Sequence, residues 1–405
     1  MKNIVYRESY IKSIKKSIGS NLIKIITGIR GAGKSTILSE IIKYVHSKND
    51  ESYVISMDFS LKPFSDIKNE IQLFEYLQSR IKNKKDKYYL FLDEIQNVKN
   101  FENIILHFYS GYNVEIFITG SSSYLLSKQI GTKFTRRHID FEIFPFTFLE
   151  LKEYCLINNI SLNDQELLEK MIMFGGLPLT YQIPDDLKIK WLSSLSLEIV
   201  EKDILPNQNI GNLLEFNKIF KYVMQQIGQL FSYETIYSFL KKEDNKNSTA
   251  KTTIISYIKA LNEANLLSTI ERYNIIGKEL MAYKTKYYAY DIGIRNAVVD
   301  NWKNLDLPKI IENIVYLELL KRGYNVKIGK TYSWEVDFVA FKNGTITYIQ
   351  VCESLYSEEK YKQELDPLKS IKDNYEKIVI TYQKDIREND NGIKIVSLID
   401  FLRKH

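Results

Sequence analysis

The run LIKIIT at residues 22–27 is apolar and β-branched, and STILSEIIKYV at 35–45 sets Ile37, Leu38, Ile41, Ile42 and Val45 at helical spacing. The pair predicts a strand and a helix joined by a glycine loop. Four further runs, YVISMDF (53–59), YYLFLD (88–93), VEIFITG (114–120) and HIDFEIF (138–144), have the character of buried strands, with helical patterns between them. Strands alternating with helices predict an α/β fold built on a parallel sheet that is covered on both faces.

After FPF (144–146) the strand pattern stops, and helical segments run to about residue 210, interrupted by FGGLP (174–178) and bounded by LPNQNIGN (205–212). FNKIFKYVMQQIG, SYETIYSFL and STAKTTIISYIKALNEANLL then predict three helices, followed by two β-rich runs around Gly277 and Lys278. Three helices and a hairpin make a winged helix-turn-helix. From near Leu307 the order is helix IIENIVYLELLKRG, strands YNVKIGK, EVDFVAF and TITYIQV, helix YKQELDPLKSI and strand KIVIT. The predicted organisation is an α/β core over 1–146, a helical connector over 147–210, a winged helix over 211–303 and a second α/β unit over 304–405.

Composition changes this picture little. A chain of 405 residues exceeds what one hydrophobic core usually serves, which fits several units. Apolar residues at 44% and charged residues at 26% are ordinary globular usage. Cys155 and Cys352 are far apart in sequence, which excludes a disulfide framework or a cysteine-based metal site and fits a reducing compartment. No run approaches the ~18 apolar residues of a membrane span, so the expectation is a cytoplasmic protein with no membrane partner. Lys and Arg total 56 against 50 for Asp and Glu, a net +6 that permits a nucleic-acid partner without requiring one.

The chemistry starts in the first loop, TGIRGAGKST. Gly28, four intervening residues, then Gly33, Lys34 and Ser35 satisfy the P-loop pattern. Gly28, Arg30, Gly31, Ala32, Gly33, Lys34, Ser35 and Thr36 would cradle the phosphates of ATP with inward N–H groups. Lys34 would reach the β and γ phosphates, and Ser35 would ligate Mg²⁺. LFLDEIQ ends a strand with Asp93 and Glu94, where open α/β sheets bind ligands. Asp93 would support the metal, and Glu94 would orient or deprotonate an attacking water. ITGSSS sets Thr119, Ser121 and Ser122 at the same edge, either to sense the γ phosphate or to cap a helix. Arg136 and Arg137 precede the fifth strand, as arginine fingers acting in cis or from a neighbouring subunit of a homo-oligomer, or as plain surface charges. Arg30 faces phosphate or a partner.

GIRGAGKST, LFLDEIQ, ITGSSS, FGGLP, KYYAYDIGIRNAV and IIENIVYLELLKRGYNV together resemble the AAA-type ATP-binding proteins of bacteria and archaea whose C-terminal half is a winged helix joined to an endonuclease-like domain. The resemblance spans roughly residues 6–400. It implies an ATPase module with a DNA or other macromolecular partner. The last unit also resembles the PD-(D/E)xK nuclease core. Glu312 matches its helix carboxylate and Asp337 its strand aspartate, but Gln350 stands where a carboxylate is expected and Cys352 where lysine is expected. Two anionic ligands are too few for a hard cation, and a thiol of pKa near ~8.5 cannot replace an ammonium. Glu335, Glu353, Lys360 or Lys362 are the residues left to substitute, and a binding or assembly role is the preferred reading.

From Lys241 to Tyr290 nine basic residues face five acidic ones. Ile254, Ile258 and Leu261 give the third helix its core face and leave Thr249, Lys251 and Thr252 for a groove of double-stranded DNA. Protein docking is the rival use of such a module. The expected function is Mg²⁺-dependent ATP hydrolysis coupled to a macromolecule-binding C-terminal half. The alternatives are an ATP-gated nuclease and a nucleotide-switched scaffold that recruits a protein partner.

Overall fold

The computed structural model describes residues 4–48, 53–120, 133–206, 208, 210–243, 250–384 and 386–404. Helix α1 (Glu8–Ser17) leads to β1 (Ile23–Thr27), and the glycine loop leads on to α2 (Lys34–Lys48). β2 (Tyr53–Asp58), α3 (Glu70–Arg80), β3 (Tyr88–Asp93), α4 (Phe101–Gly111), β4 (Val114–Thr119) and β5 (His138–Glu142) follow. The strands form a sheet in the order β2-β3-β4-β1-β5, with every neighbouring pair parallel.

β1, β3 and β4 are buried along their whole length, as a sheet with helices on both faces requires. Ile11 and Ile14 of α1 and Ile37, Leu38 and Ile41 of α2 share a core with Phe91 and Phe117, whose rings stack at 4.6 Å. On the other face Leu73, Leu77, Ile105 and Phe108 pack against Leu90, Leu92, Ile116 and Ile118. Residues 53–59 and 138–144 read as buried strands in the sequence, but β2 and β5 are only partly buried. Each pairs on one side only, so half of its surface never meets the core. Lys24 and Glu115, one charge inside each of two buried strands, are explained by their mutual ion pair, which Lys87 joins at 3.1 Å.

The connector consists of α5 (Phe148–Ile157), α6 (Asp164–Phe174), a 3₁₀ turn at Pro178–Gln182 and α7 (Asp185–Ile199), which runs into a π-helical turn at Val200–Ile204. Thr147 with Glu150 and Asn163 with Glu166 form capping boxes that fix the starts of α5 and α6. Then come α8 (Leu213–Gln225), β6 (Leu230–Phe231), α9 (Tyr233–Glu243), α10 (Lys251–Glu263), β7 (Leu267–Asn274), β8 (Glu279–Ala289) and α11 (Ile292–Val299). The remainder is α12 (Leu307–Lys321), β9 (Asn325–Lys330), β10 (Glu335–Lys342), β11 (Thr345–Cys352), α13 (Glu358–Lys369), β12 (Glu376–Thr381), β13 (Asn389–Asp390), β14 (Ile393–Ser397) and α14 (Leu398–Arg403).

The β7–β8 hairpin does not stand apart. β7 pairs in parallel with β9, so one sheet runs β13-β14-β12-β11-β10-β9-β7-β8-β6. The Ile275 N–H donates to the Lys330 carbonyl at 2.9 Å and extends the join beyond the strand ends. Residues on either side of position 303 therefore share one hydrogen-bonded sheet.

A second joint ties this half to the core. Asp291, at the start of α11, is buried and accepts from the N–H groups of Gly176 at 2.8 Å and Ile294 at 3.0 Å. The Phe146 N–H donates to the Gly176 carbonyl at 2.7 Å, and Lys321 of α12 donates to the Phe146 carbonyl at 3.0 Å. FPF, FGGLP and YDIGIRNAV thus meet at one point. A Cβ on Gly175 would lie 2.3 Å from an Asp291 carboxylate oxygen and 2.5 Å from the Gly293 nitrogen, and Gly175 has φ +73°. Burial pushes the Asp291 carboxyl up to about 6, against the pull of its backbone donors.

Candidate functional site

Because the sheet is parallel, the C-terminal ends of β1, β3 and β4 lie along a single edge, and β4 sits between the other two. β1 delivers the glycine loop there. Gly28, Gly31 and Gly33 all have positive φ, and a Cβ on Gly28 would lie 2.2 Å from the Ile143 carbonyl oxygen, so the loop needs its first glycine to pass β5. Buried Lys34 donates from Nζ to the Gly28 carbonyl at 3.0 Å and the Ile29 carbonyl at 3.4 Å. Its ammonium is thereby folded over the loop. Burial holds the Lys34 pKa down, and the charges of Glu94, Asp203 and Asp93 oppose that shift.

β3 delivers Asp93 and Glu94. Thr119, fully buried at the end of β4, donates its hydroxyl to Asp93 and accepts the Glu94 N–H at 3.1 Å. The Ser35 hydroxyl also bonds Asp93, so the first turn of α2 and the end of β3 are in direct contact. Burial raises the Asp93 pKa; the Thr119 and Ser35 bonds lower it, and Glu94 and Asp58 raise it further. An under-compensated carboxylate beside a serine hydroxyl fits a divalent cation. Glu94 has φ +53°, which turns the chain sharply after the strand. The Gln96 side-chain amide donates to the Glu94 carboxylate at 2.6 Å, while buried Gln96 Oε1 has no partner among the described residues. Gln96 lies within LFLDEIQ, where nothing in the sequence sets it apart.

Arg30 of the loop grips Asp203 with two bonds of 3.0 and 2.8 Å. Burial works against its charge, and Asp203 more than offsets this, so the Arg30 pKa is raised. Asp203 belongs to the π-helical turn, where a helix irregularity often marks a functional position. No motif in the sequence marks it.

Beside the loop, Ile4, Val5, Phe146, Tyr154, Pro178 and Gln182 line a small cleft of about 70 Å³ with Ala32, Gly33 and Thr36. Buried Arg7 stands at its floor, donating to the Ala32 carbonyl at 3.1 Å and to Glu150 at 2.7 and 3.0 Å. This N-terminal segment carries no motif, so its place beside the loop was not legible in the sequence.

Arg136 and Arg137 do not join this group. Both are exposed just before β5, and the Arg137 carbonyl accepts the N–H of Ile23 at the start of β1. With ~3.3 Å per strand residue, that is roughly 15 Å from the loop, on the opposite edge of the sheet. Ser121 and Ser122 lie outside the described residues.

The profile of an AAA domain matches residues 20–152, and that of a domain of unknown function, DUF8612, matches residues 165–305. An uncharacterized protein of Haemophilus influenzae is 29% identical over 402 residues, covering 99% of each chain. The uncharacterized protein MJ1544 of Methanocaldococcus jannaschii is 31% identical over 422 residues, covering 98% of this chain and 88% of that one. The chain belongs to the family of MJ1544. Among solved structures, the Walker-type ATPase PABY2304 of Pyrococcus abyssi superposes with a TM-score of 0.52 at 14% identity, covering 73% of this chain and 96% of that one. The shared fold is that of a P-loop α/β ATPase, and the AAA domain holds the whole cluster of Gly28, Lys34, Ser35, Asp93, Glu94 and Thr119.

Beyond the AAA domain, Lys251 and Thr252 are exposed at the start of α10, and Thr249 lies outside the described residues. Lys251 is paired with Glu234, and Lys259 lies 3.4 Å from Glu263. Lys286 is buried among carboxylates. The exposed basic excess is therefore smaller than the sequence count implies. In the last unit Glu312 and Asp337 both lie beside Lys286, at 3.0 and 3.5 Å. Gln350 Oε1 accepts the Asp337 N–H at 3.3 Å, and burial pushes the Cys352 thiol up to about 12. Glu353, Lys360 and Lys362 are exposed. Glu335 does reach the cluster, through Lys286. No three carboxylates, imidazoles or thiolates among the described residues are disposed to hold a metal ion.

Proposed function

We propose that the protein binds Mg-ATP on the Gly28–Thr36 loop and hydrolyses it, and that the C-terminal half couples this cycle to double-stranded DNA. The observation that carries the reading is the meeting of Ser35, Asp93, Glu94 and Thr119 at one sheet edge through direct hydrogen bonds, with Lys34 folded over the adjoining glycine loop. Lys34 exchanges the loop carbonyls for the β and γ phosphates. Ser35 and Asp93 would hold Mg²⁺, which when bound neutralises charge building on the phosphates. Glu94, steadied by Gln96, orients and deprotonates the attacking water, and Thr119 fixes both acidic residues in place. The base enters the cleft between Val5, Phe146 and Pro178. Arg136 and Arg137 are too far to act in cis, so a finger role requires a neighbouring subunit of a homo-oligomer. Arg30 then reports nucleotide to Asp203 and the connector.

In this reading the chain is cytoplasmic and divides into the units 1–146, 147–210, 211–303 and 304–405. α8, α9, α10 and the β7–β8 hairpin form a winged helix whose exposed Thr252 and Lys251 meet phosphates or base edges. Among the described residues no helix is long and apolar enough to cross a membrane. The test is phosphate release by purified protein, with and without double-stranded DNA, across a salt series. DNA is expected to raise the rate at low salt, and the gain is expected to fade as salt rises. A rate indifferent to DNA at every salt concentration contradicts the coupling and leaves the nucleotide-switched scaffold.

A further inference from the structure

The charged centre of the C-terminal half contains a cation of its own. Lys286 lies on β8, where it faces inward with Tyr288, and its side chain is only 4% exposed. Its Nζ is 3.0 Å from Glu312 of α12 and 2.9 Å from Glu335 and 3.5 Å from Asp337, both of β10. The Tyr288 hydroxyl donates to the same Glu312 oxygen at 2.5 Å. The second Asp337 oxygen accepts the Val351 N–H at 2.9 Å, so its orientation is fixed from β11. Three carboxylates from two elements thus surround one ammonium that arrives from a third.

A hard divalent ion would need those oxygens at ~2.0–2.6 Å around the same point. The ammonium fills it, and the residues therefore do not fit the metal that the nuclease resemblance implies. We infer that Lys286 is a tethered cation standing in place of a divalent metal, so that Glu312, Glu335 and Asp337 form an ion clamp between the hairpin and the last unit and not a hydrolytic centre. This is independent of whether ATP is hydrolysed. Two further features agree with it. β11 offers no replacement, because Gln350 is neutral and bonded to Glu364, and the buried Cys352 thiol stays protonated. The continuous β8-β7-β9-β10 pairing holds the lysine, Glu335 and Asp337 in one sheet, and α12 adds Glu312, so the cation does not depend on a mobile arm. Despite burial, the three carboxylates raise the Lys286 pKa and keep it charged. Burial, then Glu312, raises the Asp337 pKa against the pull of Lys286.

The test is titration of the full chain with Mn²⁺ alone, without nucleotide, followed by the paramagnetic resonance signal of the free ion. Wild type and Asp337→Asn are expected to take up the same number of ions. Lys286→Met is expected to take up one more, to melt at a higher temperature when Mn²⁺ is present, and to lose both properties when Asp337→Asn is added. Two results overturn the inference. One is an ion bound by wild type and lost in Asp337→Asn; the other is a Lys286→Met chain with native circular dichroism that gains no ion. Lys286→Gln replaces the methionine variant if that chain does not fold, and the comparison of wild type with Asp337→Asn needs no lysine variant.

Discussion

Glu94→Gln is expected to lower the rate of phosphate release by about 100-fold or more while leaving ATP binding intact. General-base or water-orienting carboxylates are worth ~10²–10⁴ in rate. The amide keeps the shape of the side chain and its contact with Gln96, but it cannot accept a proton. The separation of binding from turnover is the point of the variant. Glu94 touches neither the glycine loop nor Lys34 in the bonds of the site; it meets Thr119 through its backbone and Gln96 through its side chain. The measurement is single-turnover phosphate release beside equilibrium ATP binding. A rate within about threefold of wild type would remove Glu94 from the chemistry, because any catalytic carboxylate costs far more than that.

Gly175→Ala is expected to destabilise the chain by roughly 3–5 kcal/mol, the sum of left-handed backbone strain and overpacking. The new methyl would meet backbone and a buried carboxylate, with its nearest atoms at 2.3 to 2.5 Å, and neither can retreat like the tip of a flexible side chain. Asp291 is held by the Gly176 and Ile294 N–H groups, and Gly293 is part of α11. Against a typical stability of ~5–15 kcal/mol this is a large fraction. Gly111→Ala is the control, since a Cβ there meets nothing within 4 Å. Urea unfolding checks the pair: a large fall in midpoint for Gly175→Ala, little change for Gly111→Ala. A loss below about 1 kcal/mol at Gly175 would mean that the joint is loose.

The parts of the chain that could be read from sequence share a physical property: their signal is local. The apolar runs that become β1, β3 and β4 are buried on both faces, so every residue carries the pattern. The glycine loop and the DEIQ turn each occupy consecutive positions, and a parallel sheet brings them to one edge without further instruction. What the sequence does not show is non-local. Asp203 reaches Arg30 across 173 positions, and Arg7 reaches Glu150 across 143. Neither stretch carries a motif, and only folding makes the pairs. β2 and β5 looked buried because their composition is apolar, while their edge positions are set by topology. In the sequence Lys286 reads as surface charge, because a lysine normally is. Its inward phase with Tyr288 on β8 was the available clue, but nothing local names the carboxylates that receive it. The alternation in IKIVSLIDFLR is regular, and it forms β14 and α14 at the end.

The loop after β1 must accept a triphosphate, and equilibrium binding of ATP in the presence of Mg²⁺ tests this most directly. Wild type should saturate at one nucleotide per chain, and Lys34→Ala should weaken binding by about tenfold or more, since one charge-assisted phosphate contact is worth ~1.5–3 kcal/mol. Wild-type protein that shows no saturable binding, or a Lys34→Ala isotherm that overlays it, would contradict the account.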